Sequence, residues 1–255
     1  TYGLNPAMTG VRDLFAAGRC AIMANVGPLI RPTTKAQYQT PGFELPPQLF
    51  SHNDQQDQWH SLRGRGLLKS GWGGRVADVL AAQLGGQQLP LNASLAGQTL
   101  FQAGNVASPY IMGATGATQF SGLTGTANVN VGRRQSFEAI ANASYNTVYE
   151  RGFAGVQRRA VQFADQVNAA ILGARNFTAL PDTGVTLSTL QQQLRTVAKL
   201  IERRATLGMT RQIFFVSAGG FDTHSAQLED QPGLLADVSA SLAAFHAATV
   251  ELGVS

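Results

Sequence analysis

Two segments of the chain carry residue types that could do chemistry together. Gly219-Gly220-Phe221-Asp222-Thr223-His224 delivers a carboxylate and an imidazole two residues apart, with Gln227 just beyond. Carboxylate and imidazole suit a divalent cation such as zinc. Ser51-His52 places a hydroxyl and an imidazole ahead of Asn53 and Asp54, with Ser51 at an N-cap position and Asp54 three residues later in the manner of a capping box. A helix N-terminus gathers free backbone N–H groups and the positive end of the macrodipole, so Ser51 and His52 would meet an anion there. Plainer roles also fit: Asp222 or Ser225 could cap the following helix, His224 could be an ordinary loop residue, and Ser51 could only cap. Two ligands do not complete a tetrahedral site. His60 follows His52 by eight residues, roughly two helical turns, too far to chelate the same ion from a straight helix, and fits a surface or packing role.

The elements around these residues must place them. Ile213, Phe214, Phe215 and Val216 form a short continuous apolar run, the pattern of a strand covered on both faces of a parallel sheet. Ligands of such sheets collect at the carboxyl ends of the strands, and Gly219-Gly220 allows the turn that would present Asp222 and His224 there. Leu4, Ala7, Met8, Val11, Leu14 and Phe15 fall at helical spacing, with Asn5 as N-cap, Pro6 as first helical residue and Gly18 as stop. Residues 20–26 predict a buried strand containing Cys20 as a small hydrophobe. Residues 27–50 predict a long loop, and a basic loop from Arg63 leads into a helix over 74–83. Residues 95–131 predict short strands or an irregular insertion, including pieces at Gln98–Phe101 and Ala127–Val131. One long or broken helix is expected over 135–175, with Gly152 and Gly155 as its weak points. A further helix carries Leu187, Leu190, Leu194, Val197 and Ile201. The last starts near Pro232, with His246 packed beside its apolar stripe.

At 255 residues with 44% hydrophobic content, the chain suits one substantial core. Only 13% of residues are charged, against a typical quarter. The net charge of +4 is spread over scattered arginines without a dense basic and aromatic run, which argues against a nucleic-acid partner. No stretch of eighteen apolar residues exists, so no membrane span is expected. One cysteine excludes an intramolecular disulfide. No Gly-x-Gly-x-x-Gly or P-loop pattern follows a predicted strand, so no nucleotide cofactor is implied.

Four pieces in order resemble one family: Leu4-Asn5-Pro6-Ala7 with Gly18-Arg19, the Ser51-His52 segment with Trp59, Gly71-Trp72-Gly73-Gly74-Arg75, and Gly219-Gly220-Phe221-Asp222-Thr223-His224 with Gln227. Together they are similar to the bacterial sulfatase-like proteins of domain of unknown function 1501, grouped with the alkaline phosphatases and sulfatases. The resemblance implies an α/β fold, a three-layer α/β/α sandwich with a mostly parallel sheet, over residues 1–255 as one domain. It implies Asp222 and His224 as ligands of a divalent metal (zinc, manganese or calcium), Gln227 as a polar contact, and Ser51 or His52 as nucleophile or anion contact. It also implies an exported protein, periplasmic or secreted. The absent upstream Gly-Gly-x-Asp and downstream Glu-Phe-Gly-Arg and Asp-His-Gly segments make the chain look like the central part of a longer protein. No Cys/Ser-x-Pro-x-Arg motif is present, so formylglycine chemistry is not supported.

Two functions of different class follow. One is a metal-dependent hydrolase of small anionic phosphate or sulfate esters, the cation activating a nucleophile and stabilising charge. The other is a non-catalytic secreted or surface-associated binding or structural protein on the same scaffold, because fold alone does not give function.

Overall fold

The computed structural model describes residues 3–65, 69–84 and 89–254; the middle of the basic loop after Arg63 lies outside them. Helices are α1 (Thr9–Ala16), α2 (Lys35–Tyr38), α3 (His52–Ser61), α4 (Trp72–Leu84), α5 (Asn128–Ala141), α6 (Val148–Leu172), α7 (Thr189–Glu202) and α8 (Gln227–Glu251). Strands are β1 (Asn92–Ser94), β2 (Tyr110–Ile111) and β3 (Ile213–Phe215). They form one parallel sheet in the order β2-β1-β3, with Ala93 beside both Tyr110 and Phe214.

This overturns the three-layer sandwich. Helix accounts for 47% of the residues and strand for 4%, so there is no broad sheet for two helical layers to cover. Cys20–Val26, expected as a buried strand, has no regular secondary structure and pairs with nothing in the sheet. Asn25 takes a left-handed backbone there, and Ile22, Met23 and Val26 are exposed. Cys20 is half-buried. An apolar run shows a preference for extended backbone, but a strand also needs a ladder partner. At Ala127–Val131 the alternation of Asn and Val imitates a strand, yet α5 starts at Asn128 and continues through the Arg134–Glu138 pair, one turn apart at 2.7 Å. Gln98–Phe101 likewise yields no strand, and Leu100–Gln102 is a single 3₁₀ turn.

Other elements form with shifted limits. Asn5 accepts from the Ala7 N–H and closes a turn ahead of α1, which Gly18 ends with a φ of 68°. The expected 135–175 helix is interrupted at 142–147 rather than at its glycines, because Thr147 and Glu150 form a complete capping box that starts α6. Helix α8 begins five residues before Pro232, with Glu229 and Asp230 in its first turn where the macrodipole favours them. Length and composition alone would let α8 cross a bilayer; in the fold it packs against α1 and α7.

Helix α7 is the structural centre. Leu200 and Val197 join β1, α6 and the Leu207–Met209 turn in one core cluster, while Leu190, Leu194 and Ala198 join Phe177, Leu180 and Ala248 in a second. The small sheet is braced by side-chain amides. Asn92 Nδ2 donates to the Gln102 carbonyl at 2.8 Å, and Gln102 Nε2 donates to Ala93 and Ile213 carbonyls at 3.0 and 3.1 Å. Both side chains are buried, where an unmade hydrogen bond would cost about 1–3 kcal/mol.

The Gly71-Trp72-Gly73-Gly74 motif has a packing explanation. A Cβ on Gly71 would stand 2.0 Å from the Leu100 carbonyl oxygen, and one on Gly74 2.1 Å from the Ala103 carbonyl carbon. Only glycine lets α4 lie against the 3₁₀ turn at that separation. Asp78, one turn further along α4, collects N–H groups of Asn105, Val106 and Ala107 at 2.7–3.1 Å. Burial alone would raise its carboxyl pKa, but these donors outweigh that and hold it below the usual value.

Candidate functional site

Strand β3 leads to the Asp222 loop through a pinned exit. The Gln193 side chain of α7, 3% exposed, donates to the Ser217 carbonyl at 3.1 Å and accepts from the Ser217 N–H at 3.0 Å. An amide thus takes the place of a neighbouring strand for one residue. Gly220 then turns with a φ of 89°, and His224 itself adopts a φ of 33°. That conformation is uncommon for a residue with a Cβ, and such strain collects at ligand and active sites. The Ala226 N–H closes the turn on the Thr223 carbonyl, and α8 follows with Gln227 exposed at its first position.

The Asp222 carboxylate is the meeting point. His224 Nε2 lies 2.8 Å from Asp222 Oδ2, and His52 Nδ1 lies 3.7 Å from the same oxygen. The structure therefore brings together His52, Asp222 and His224, from two segments far apart in sequence. All three side chains are largely open to solvent, Asp222 the least so at 57%. Ser51 occupies the N-cap of α3, its hydroxyl accepting from the Asp54 N–H at 3.4 Å. It fixes where α3 starts, and with that the position of His52 beside Asp222.

Behind this surface lies an aromatic cluster. His60 packs edge-on to Phe215 at 5.5 Å and against Phe101 at 6.3 Å; Phe101 in turn meets Trp72 at 4.6 Å. These rings tie α3, α4 and the 3₁₀ turn to β3, so the histidine end of α3 and the Asp222 loop are carried by one packed unit. Burial lowers the His60 pKa, with Asp57 opposing, and its Nδ1 is buried without a partner among the described residues. Gln193 and Phe101 are positioning residues that the sequence did not single out, and His60 joins them in a packing role. Lone glutamine and phenylalanine residues leave no pattern, whereas the His60 spacing was visible and pointed to packing.

No protein-family model, curated protein or solved structure matches this chain.

Two imidazoles and a carboxylate are the donor set of a metal site that keeps a position open for water. By residue type they fit a divalent ion. Among the described residues, however, no three histidine, cysteine, aspartate or glutamate side chains are arranged as a ready cage. His224 instead spends its Nε2 on Asp222, so holding an ion requires that contact to open. A separate apolar cavity of about 570 Å³ lies between α5 and α6, lined by Phe120, Phe137, Ile140 and Phe153.

Proposed function

We propose that the chain is a metal-dependent hydrolase of small phosphate or sulfate esters, with Asp222, His224 and His52 as the ligands of a divalent ion. The observation that carries this reading is the convergence of His52 from α3 and His224 from the β3 exit on one carboxylate oxygen. When bound, the ion would supply charge neutralisation and a more acidic bound hydroxyl. The chain's own residues then divide the work. Asp222 holds both imidazoles near the ion position. The N-terminus of α3 offers backbone N–H groups to an anionic ester, and the Ser51 hydroxyl stands at that same end. Gln227 opens the next helix as a further polar contact. The export and relationship to the sulfatase-like proteins suggested by the motif order belong to the same proposal, now on a smaller sheet than that relationship implies. The non-catalytic reading stays as the outcome of the test.

The experiment is metal analysis of purified protein together with zinc, manganese and calcium titration. Near-stoichiometric metal, released by the Asp222→Ala/His224→Ala double variant and weakened by His52→Ala, is the expected result. Folded wild-type protein that takes up no metal removes the hydrolase reading. An ester panel comparing wild type with Ser51→Ala separates roles: equal turnover leaves Ser51 as a helix cap only.

A further inference from the structure

On the opposite flank of the sheet, the loop leaving β2 forms a second polar hollow. Gly113 and Gly116 exchange both backbone hydrogen bonds, at 2.8 and 3.1 Å, closing Ala114 and Thr115 into a tight turn. The turn is clamped from two helices. Asn168 of α6 accepts from the Ala117 N–H and donates to the Ala117 carbonyl, both at 2.9 Å, and Thr196 of α7 donates to the Ala114 carbonyl at 2.6 Å. Gly116 has a φ of 131°, and a Cβ there would sit 2.6 Å from Asn168 Oδ1. This is a preorganised loop at the carboxyl end of a parallel strand, the place where such sheets receive ligands.

Lys199 points its chemistry at this loop. It is 6% exposed, yet it lines a hollow of about 700 Å³ together with Thr115, Thr118, Gln119, Asn168 and Asp182. That volume is in the range of small-molecule sites. Among the described residues the Lys199 ammonium has one hydrogen-bond partner, Asp182 Oδ1 at 2.6 Å, although an ammonium carries three donors. The Asp182 carboxylate is shared, because Arg195 Nε lies 3.6 Å from the same oxygen. Two cations thus face one anion, leaving a net positive charge at the wall. Asp165, which holds Gln119 of the lining, is itself paired with Arg134.

We propose that this hollow binds a small oxyanion-bearing ligand, a carboxylate or a phosphate, with Lys199 as its charge partner and the Thr115 and Thr118 hydroxyls as further donors. The site is separate from the Asp222 loop and does not depend on it.

The test is calorimetric titration of the whole chain at low salt with inorganic phosphate and, separately, with malonate. Saturable one-site binding of at least one anion is expected, and the anion that binds decides between a phosphoryl and a carboxylate ligand. Lys199→Met should weaken it by about tenfold or more, the loss of one charge-assisted hydrogen bond. Should that variant not fold, Thr115→Val/Thr118→Val, at exposed positions, reads the same site and should weaken binding several-fold. Asp222→Ala should leave the affinity unchanged. Failure of both anions to bind, or binding indifferent to the lysine and threonine changes, overturns the proposal. So does binding lost on Asp222→Ala, which would place the anion at the other site.

Discussion

Replacing Gly74 by alanine sets two effects of known size against each other. A helix gains up to about 1 kcal/mol when an interior glycine becomes alanine. Against that, the new Cβ would lie 2.1 Å from the Ala103 carbonyl carbon, 2.2 Å from its oxygen and 2.3 Å from the Gly104 nitrogen. All three are backbone atoms of the segment that carries Gln102 and its bonds to β1 and β3, so no flexible side chain can yield. Restoring ordinary contact requires α4 to retreat by roughly 1 Å from a close-packed seam. The move stretches the Gly71 N–H bond to Ala103, now 2.8 Å. Overpacking of this kind costs about 3 kcal/mol at the upper end of its usual range, so the net loss should be about 2 kcal/mol. For a chain of this size that is roughly 4–8 °C in Tm. Urea unfolding of wild type, Gly74→Ala and Gly152→Ala measures it. Gly152 lies inside α6 with nothing within 4 Å of its Cβ position, so its variant should gain up to about 1 kcal/mol. A Gly74→Ala protein as stable as wild type, alongside a stabilised Gly152→Ala, would refute the close-approach argument.

Two titratable groups give pH-dependent expectations. The folded-state carboxyl of Asp78 is held below its ordinary value, so its contribution is complete above the ordinary carboxylate pKa and fades as pH falls through the lowered one. Asp78→Asn should cost about 1 kcal/mol at neutral pH, and the difference should close in acid; a gap of constant size in unfolding curves at pH 7 and 3 would contradict this. His60 acts in the same direction but at higher pH: its lowered folded-state value means the unfolded chain takes up the proton first. Stability is therefore full above the ordinary histidine pKa and declines as pH drops from there toward the lowered value. His60→Leu should flatten that slope between pH 7.5 and 5.5, and an unchanged slope would assign it to another histidine.

Local signals survived into the structure where their physics is local. Ser51 caps α3, Gly18 ends α1, and the β3 exit turns at Gly220, because hydroxyl, glycine and helix-end preferences act over a few residues. The convergence of His52 on Asp222 was not foreseen, because no spacing in the sequence relates two segments so far apart. Strand β3 was legible as an apolar run, but its partners and the extent of the sheet were not, for the converse reason. Whether Cys20–Val26 becomes a strand depends on a neighbour far along the chain, and no pattern within the run reports whether that neighbour exists. The Lys199 hollow was hidden too, since Lys199 lies on a helix whose apolar period draws attention to Leu194, Val197 and Ile201. Its significance arises only when the Gly113–Gly116 turn is folded against it.

The union of α1 with α8 sets an order of events during synthesis. Gly10 lies against Ser239 and Ala243, and the Val11 N–H donates to the Ser239 hydroxyl at 3.0 Å across 228 residues of sequence. At translation rates of about 5–20 residues per second, α1 waits on the order of 10–50 s before the helix it packs on has been made. Eight residues cannot hold a helix alone in water, so α1 forms by docking onto α8. A nascent chain paused before α8 would therefore carry a protease-sensitive α1 segment, and protection of that segment would report its docking onto α8.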